Sequence, residues 1–452
     1  MNTKNKKILY GGIFALYAVL NLILVLLHEP WRDEIHAWLM AKELSIFDLF
    51  MESRFDGHPI LWHLLLMPFA KLNFPILTLN IISYLILLVS TWVFLFRTEL
   101  PLPIKIFAIF TIPFTYTYSA IARNYSCIIL LLVLIGVFYP KRNKHPILYS
   151  ILICFLIHTH SLAWGIVAGL TITFHFYEII LSFKKKNTAD IKSVIIGLVL
   201  IVCNTLLVVF QLFGTSNINY ACVPSSYITK LSLLIVFLLF LLLFYTIFML
   251  KNNYKEFIVL ATGLSFQIAI YLFVYSSILY QRHILFFAVI LFYLILVSHT
   301  DCFDTLKYFL LCVAFLLITI FSGLKPFFTT LVKDITSPYS SAKEMAHFIN
   351  ENVPKNTTIL MDASVIGQSM IPYLEDGYSI YDISYDEYVT CANVAYDSTK
   401  MEDALSDIDS YAGQYLIISN DFVELENCEL LYKSSIPIVN EFFTLYFVPE
   451  KQ

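Results

Sequence analysis

Ionisable side chains crowd the stretch HEPWRDEIHAWL, residues 28–39, directly after an apolar run at 8–27. Asp33 and Glu34 are adjacent carboxylates, and a carboxylate can take the proton of a hydroxyl that acts as a nucleophile. If a helix begins here, both lie in its first turn, where the helix dipole keeps a carboxylate ionised. Because consecutive side chains on a helix point about 100° apart, we expect only one of the two to face a given substrate.

Further polar groups lie at the ends of other apolar runs, far apart in sequence. They are Arg54, Asp56 and His58; Arg123; His158 and His160; and Arg282 with His283. An arginine can form two hydrogen bonds to one phosphate, whereas a neutral histidine offers less charge at pH 7. For any single residue of this set, snorkelling or capping of a helix is an equally good explanation. A common site requires that they all lie on one side of a membrane.

The composition is that of a polytopic membrane protein. Hydrophobic residues make up 59% of the 452 residues and charged residues only 14%, which excludes a soluble globular chain. The first apolar run is too long for a signal-peptide core and has no small-residue cleavage site, so we expect it to be retained as a helix. Of the eight cysteines, Cys391 and Cys428 could pair if their domain faces an oxidising compartment.

Eleven apolar runs are candidates for membrane-spanning helices. They cover residues 8–27, 76–96, 106–120, 125–139, 147–158, 162–181, 193–213, 230–250, 257–274, 284–298 and 307–323. The loops on alternate sides of these runs hold 15 of the 22 Lys and Arg residues that precede position 325. By the positive-inside rule these basic loops are cytoplasmic. The N terminus is then inside, and the polar groups named above all lie at the outer face.

Two segments lie outside the membrane in this topology. The loop 28–75 contains an amphipathic pattern and then an apolar run too short to span, so it predicts helices in the membrane interface. The tail 325–452 carries 20 Asp and Glu against 7 Lys and no Arg. A helical pattern at 342–353 and strand-like runs at 357–364, 415–421 and 442–449 predict that this tail is a small α/β domain. No Asp, Glu, Lys or Arg lies at the middle of a predicted span, which argues against ion-coupled transport.

The first loop resembles that of glycosyltransferases of the GT-C fold. WRDEIHAWL followed by RFDGHPILWHLL is similar to bacterial relatives of protein O-mannosyltransferases and of the enzymes that attach aminoarabinose to lipid A. Those families have an Asp–Glu pair after the first helix, then an Arg-aromatic-x-x-Lys-Pro segment that leads into an apolar helix. AIARNYS at 120–126, HTHS at 158–161 and YQRHILF at 280–286 also resemble segments of uncharacterised bacterial relatives.

The resemblance implies a GT-C catalytic region at 1–324 and an extracytoplasmic domain at 325–452. It implies transfer of a sugar from a polyprenyl-phosphate carrier, at the outer face of the bacterial plasma membrane, by an inverting displacement. We expect Asp33 to be the base, with Glu34 in reserve. The expected phosphate ligands are Arg282, Arg54, His58 and His283, and the expected substrate contacts are Arg123, His158, His160 and Trp31.

Two departures from the family pattern bear on charge at this site. His58 stands where the relatives carry lysine, so the phosphate site loses a permanent cation. The second outer loop lacks the carboxylate of several GT-C families, and it offers only Arg123 and Asn124. A divalent metal is therefore weakly supported, and the two histidines at 158 and 160 are too few ligands for one.

Three classes of function follow, none of which involves nucleic acid. The main hypothesis is a membrane glycosyltransferase that acts on an envelope glycan, lipid or protein. The second is a flippase for lipid-linked oligosaccharides or another transporter, which should have polar groups along a route through the bilayer. The third is a receptor or scaffold whose acidic tail binds a partner, for which Asp33 would be dispensable.

Overall fold

The chain forms a mostly helical N-terminal region followed by a small C-terminal sheet domain. The computed structural model describes residues 3–56, 58–111, 113–212, 250–273, 285–299, 331–361, 367–383, 386–390, 415–419 and 428–448. Within these residues the coarse fold prediction, a helical membrane protein with a C-terminal α/β domain, is confirmed.

Helices account for nearly all of the described N-terminal region. In chain order they are α1 Thr3–Leu27, α2 Arg32–Glu43, α3 Ile46–Asp56, α4 Leu61–Lys71, α5 Leu77–Arg97, α6 Leu102–Ile109, α7 Tyr125–Phe138, α8 Pro146–Ile157, α9 Trp164–Leu170, α10 Tyr177–Phe183, α11 Ile191–Leu212, α12 Leu250–Phe273 and α13 Leu285–Val297. Short π-helical turns at Pro113–Thr117 and Thr171–Phe176 and 3-10 turns at Tyr139–Lys141 and Ser161–Ala163 lie between them.

In the part of the chain that the structure describes, four helical stretches are long and apolar enough to cross a membrane, which indicates a membrane-associated protein. They are Lys4–Leu27, Leu77–Arg97, Ser161–Phe183 and Ile191–Leu212. The predicted span 106–120 is not one helix, because Pro113 has no N–H with which to continue the ladder from α6. The predicted spans 230–250 and 307–323 lie outside the described residues, so eleven spans are not established.

Close helix contact in the membrane region depends on glycine. On α9, Gly165 and Gly169 are four residues apart and face α12. A Cβ on Gly165 would lie 2.5 Å from the carbonyl oxygen of Thr262, and one on Gly169 would lie 2.4 Å from the Oγ1 of that threonine. Small residues at this spacing let two membrane helices approach closely. This glycine pair was not predicted from the sequence.

The loop 28–75 folds into three helices. The predicted amphipathic helix is two helices, because Ser45 interrupts it and accepts the Asp48 N–H at 3.2 Å as the N-cap of α3. The apolar side of α2 packs on α4, with Trp38 against Trp62 and Leu66 in one buried cluster. The apolar run predicted to be a short helix forms α4, as expected.

In the described residues of the C-terminal domain, the helix α14 Ala342–Asn352 and a 3-10 helix at Gln368–Tyr373 accompany a six-stranded sheet. The strands are β1 Thr358–Met361, β2 Ser379–Asp382, β3 Glu387–Tyr388, β4 Tyr415–Ser419, β5 Glu429–Lys433 and β6 Thr444–Val448, and their order is β3-β2-β1-β4-β6-β5. β1 runs parallel to both of its neighbours, and the other pairs are antiparallel. The predicted helix and the three predicted strands, β1, β4 and β6, are confirmed; β2, β3 and β5 were not predicted.

Candidate functional site

The centre of the candidate site is the first turn of α2. The helix begins at Arg32, so Asp33 and Glu34 occupy its second and third positions, as the sequence predicts. The Glu34 carboxylate accepts the backbone N–H of Trp31 at 3.2 Å, which satisfies a donor that the helix itself cannot. A carboxylate at this position also interacts favourably with the helix dipole.

Asp33 lies between two guanidinium groups. Its Oδ1 is 2.9 Å from Nη2 of Arg32 and its Oδ2 is 3.0 Å from Nη1 of Arg123. The Asp33 side chain keeps 21% of its surface exposed, and that of Arg123 keeps 12%. Asp33 is therefore held in one orientation and is still open to a molecule from outside the protein.

Two histidines from other loops extend this cluster. Nη2 of Arg123 donates to Nε2 of His58 at 2.7 Å, and the rings of His58 and His160 are 4.6 Å apart. A guanidinium can only donate, so His58 accepts and is neutral in this arrangement. Arg123 is thus the cation here, and His58 orients it.

Hydrogen bonds between backbone and side chains fix the loops that carry these groups. The Asn124 side chain donates to the carbonyl of Thr159 at 2.8 Å, and the Leu61 N–H donates to the carbonyl of His158 at 3.3 Å. The end of α1 and α8 and the start of α4, α7 and α9 therefore meet at one face of the helical region. Charge alternation along the sequence predicted that these ends share a side.

The remaining residues predicted to bind substrate have contacts with other groups of the protein. Nε2 of His158 bonds to Oδ1 of Asn204 on α11 at 2.9 Å. Nδ1 of His160 accepts the N–H of Leu162 at 3.1 Å, so its proton is on Nε2. Trp31 is 3% exposed and packs against Tyr339, and this makes it part of the core.

Glu34, which the sequence predicts as the reserve base, has its carboxylate bonded to groups of the protein itself. Its side chain is fully buried, and its oxygens accept the N–H groups of Trp31 and Ala122 and contact Nε2 of His28 at 3.0 Å. Ala122 directly precedes Arg123, so Glu34 holds the loop that supplies this arginine. An acceptor hydroxyl cannot reach a carboxylate with no exposed surface.

His28 bridges two buried carboxylates from distant parts of the chain. Its Nε2 is 3.0 Å from Glu34 and its Nδ1 is 2.8 Å from Asp334, which also accepts the Tyr116 hydroxyl at 2.7 Å. Burial alone would lower the pKa of His28, but Glu34 and Asp334 together outweigh burial and raise this pKa to about 10. His28 is therefore an imidazolium at neutral pH.

The C-terminal domain contacts α2 at two further points and the segment before α2 at a third. Glu441 accepts the backbone N–H of Arg32 at 3.0 Å, Gln368 bonds to Nδ1 of His36 at 2.8 Å, and Nζ of Lys343 is 3.8 Å from Glu29. These contacts could not be predicted from a local pattern, because they join positions more than 300 residues apart. The first turn of α2 is consequently enclosed by both parts of the chain.

Among the residues that the structure describes, no group of three or more His, Cys, Asp or Glu side chains could hold a metal ion. No protein-family model and no curated protein matches the chain. A proposal for its function therefore depends on the geometry around Asp33 and on the resemblance of the first loop.

Several predicted residues lie outside this geometry. Arg282, His283 and Cys391 are outside the described residues. The side chain of Arg54 is outside them too, although its backbone belongs to the last turn of α3. The described cluster is thus Asp33 with Arg32, Arg123, His58 and His160. Arg32 is the member whose part in it was not predicted.

Proposed function

We propose that this protein is a membrane glycosyltransferase of GT-C type that transfers a sugar from a polyprenyl-phosphate donor. The acceptor is a hydroxyl of an envelope glycan, lipid or protein at the outer face of a bacterial plasma membrane. The observation that carries the proposal is the partly exposed Asp33 carboxylate between Arg32 and Arg123, at a face where five helix ends meet. The resemblance of the first loop supports it independently.

The proposed reaction is a single inverting displacement. The acceptor oxygen attacks the anomeric carbon while Asp33 accepts its proton, and the bond from that carbon to the phosphate oxygen breaks. The phosphate leaves with its lipid and takes the bonding electrons. The Asp33 carboxylate is paired with two arginines, and cations at this point suit a site where negative charge develops on a phosphate. Arg282 stays a proposed second phosphate ligand.

The test is direct transfer by the full-length protein in lipid nanodiscs. Polyprenyl-phosphate donors that carry radiolabelled sugars are supplied with membrane extract as the acceptor source, and the lipid, glycan and protein fractions are counted. Mass spectrometry of envelope glycans from cells with and without the protein then identifies the sugar and the acceptor. Equal glycans in both cells, together with no transfer from any donor, would overturn the proposal.

Arg123→Ala should raise the KM for the donor by about 10–100-fold, because a charge-assisted hydrogen bond to phosphate is worth about 1.5–3 kcal/mol. The KM is obtained from transfer rates measured at increasing donor concentrations. Arg142→Ala is the matched control, since Arg142 lies over the Tyr139 ring at the opposite ends of the helices. A donor KM unchanged by Arg123→Ala would remove this arginine from the phosphate site.

Cysteine labelling tests the proposed orientation. In a background without the native cysteines, cysteines at the exposed positions Glu43 and Lys355 should react with a membrane-impermeant maleimide in intact cells. Cysteines at Lys144 and Lys185, also exposed, should react only after the membrane is opened, because both lie in basic loops. The reverse pattern would invert the topology and the proposed location of the site.

A further inference from the structure

We propose that the C-terminal domain is a working part of the site and that Glu441 is its positioning residue. In this inference Glu441 holds the first turn of α2 in place and thereby fixes the position of Asp33. It rests on the proposed function, because it assigns the residue that orients the proposed base. Glu441 is 3% exposed, so its proposed role is to position Asp33 and not to bind the substrate.

The contact is made to the one backbone group that defines where α2 begins. Both carboxylate oxygens of Glu441 accept the N–H of Arg32, at 3.0 and 3.2 Å. The first N–H groups of a helix have no acceptor within the helix itself. Asp33 is the next residue, so a shift of this N–H moves the Cα of the proposed base with it.

Glu441 lies in a segment that several backbone hydrogen bonds hold in place. The Ile438 and Val439 N–H groups donate to the carbonyls of Pro338 and Tyr339, both at 3.1 Å, and the Ser341 N–H donates to the Glu441 carbonyl at 3.0 Å. This segment leads directly into β6, whose residues pair with β4 in the sheet. The carboxylate is therefore attached to the domain's rigid core.

The paired segment also packs around the residues that precede α2. The Tyr339 ring lies 4.6 Å from His28 and 6.4 Å from Trp31, measured between ring centroids. Asp334, a few residues earlier, bonds to His28. Glu441 thus acts on a helix end that the same part of the chain already contacts through Tyr339 and Asp334, and its own contact is made at the Arg32 N–H, next to the partly exposed Asp33.

A buried carboxylate at this point carries an energetic cost, which favours a specific role. Burial raises the pKa of Glu441 to about 7, although the Arg32 charge and the hydrogen bonds from Ser340 and the Arg32 backbone oppose this rise. A neutral acceptor of similar size would satisfy the N–H without that cost. The geometry and the charge both point to α2 as the element that Glu441 serves.

Gln368 provides the matched comparison. It also belongs to the C-terminal domain and also contacts α2, but it bonds to His36, one turn further along the helix. Loss of Gln368 weakens the attachment of the domain without freeing the Arg32 N–H. If Glu441 positions Asp33, removal of the Glu441 side chain should lower kcat strongly, whereas removal of the Gln368 side chain should lower it only slightly.

The experiment compares Glu441→Ala, Glu441→Gln and Gln368→Ala in the full-length protein in nanodiscs. Glu441→Ala should lower kcat by about 10–100-fold with the donor KM within about 2-fold, because misplacement of a catalytic group reduces turnover and spares donor binding. Glu441→Gln should restore most of kcat, since its amide oxygen accepts the same N–H. Equal losses of kcat in Glu441→Ala and Gln368→Ala, or none in Glu441→Ala, would overturn the inference.

Hydrogen exchange of the peptide 29–38 supplies a readout that needs no transfer activity. The Arg32 amide should exchange faster in Glu441→Ala than in wild type or Gln368→Ala, with α4 amides unchanged. If the wild type transfers no sugar but this exchange pattern holds, the proposed function fails and the positioning of α2 stands. If transfer occurs and the exchange is unaltered, the positioning fails alone. Glu441→Asp, shorter by one methylene, replaces Glu441→Ala if that variant does not fold.

Discussion

Asp33→Asn should lower sugar transfer by about 10²–10⁴-fold, the usual contribution of a general base. Asparagine has nearly the same shape as aspartate but cannot accept the proton of the acceptor hydroxyl. Because the Asp33 side chain is partly exposed, Arg32 and Arg123 can be hydrated when the carboxylate is lost, and the fold should survive. The measurements are kcat at saturating donor and the affinity for the donor by isothermal titration calorimetry.

Asp48→Asn is the matched control for this substitution. Asp48 also lies in the first turn of a helix of the first loop, but it is exposed and bonds to Ser45. The Asp48→Asn variant should transfer sugar at the wild-type rate. Wild-type turnover by Asp33→Asn would contradict the assignment of the base. No transfer by either protein, together with wild-type function of Asp33→Asn in cells, would favour a receptor or scaffold.

The main features of the site were open to prediction because they depend on local signals. Apolar length marked the four long spans, and Asp33 and Glu34 were placed correctly in the first turn of a helix. The alternation of basic loops put Arg123, His58 and His160 on one side, and the structure brings all three to Asp33 or its partners. Sidedness can be read from charge without knowledge of any distance.

The roles within the site could not be read in the same way, since they depend on contacts between distant positions. Glu34 and Asp33 are adjacent and chemically alike, and only burial separates a structural carboxylate from a candidate base. The pKa of His28 is raised by Glu34 and by Asp334, and Asp334 lies 306 residues away in the sequence. Glu441 comes from a strand connection that carries no motif. A sequence pattern reports a residue's neighbours along the chain, whereas the local electrostatic field depends on neighbours in space.

His28→Ala should destabilise the folded protein by about 3–5 kcal/mol, the usual effect of removing one member of a buried ion pair. The substitution leaves Glu34 and Asp334 buried without the imidazolium that both contact. Since Asp334 belongs to the C-terminal part of the chain, the attachment of that part to α2 should weaken first. Thermal unfolding in detergent gives the loss of stability, and limited proteolysis near residue 334 reports the detachment.

The same network predicts a pH dependence with a definite sign. The pKa of His28 is about 10 in the folded protein against an ordinary value of 6.5, so the folded state binds this proton more tightly than the unfolded state. Its stabilisation is fully present below pH 6.5 and is lost as the pH rises towards 10. The stability of His28→Asn should not fall over this pH range.

His347→Ala is the control, because this side chain is 71% exposed; it should change stability by less than about 0.5 kcal/mol. If His28 and His347 variants lost equal stability, His28 could not be the ion that joins the two parts of the chain.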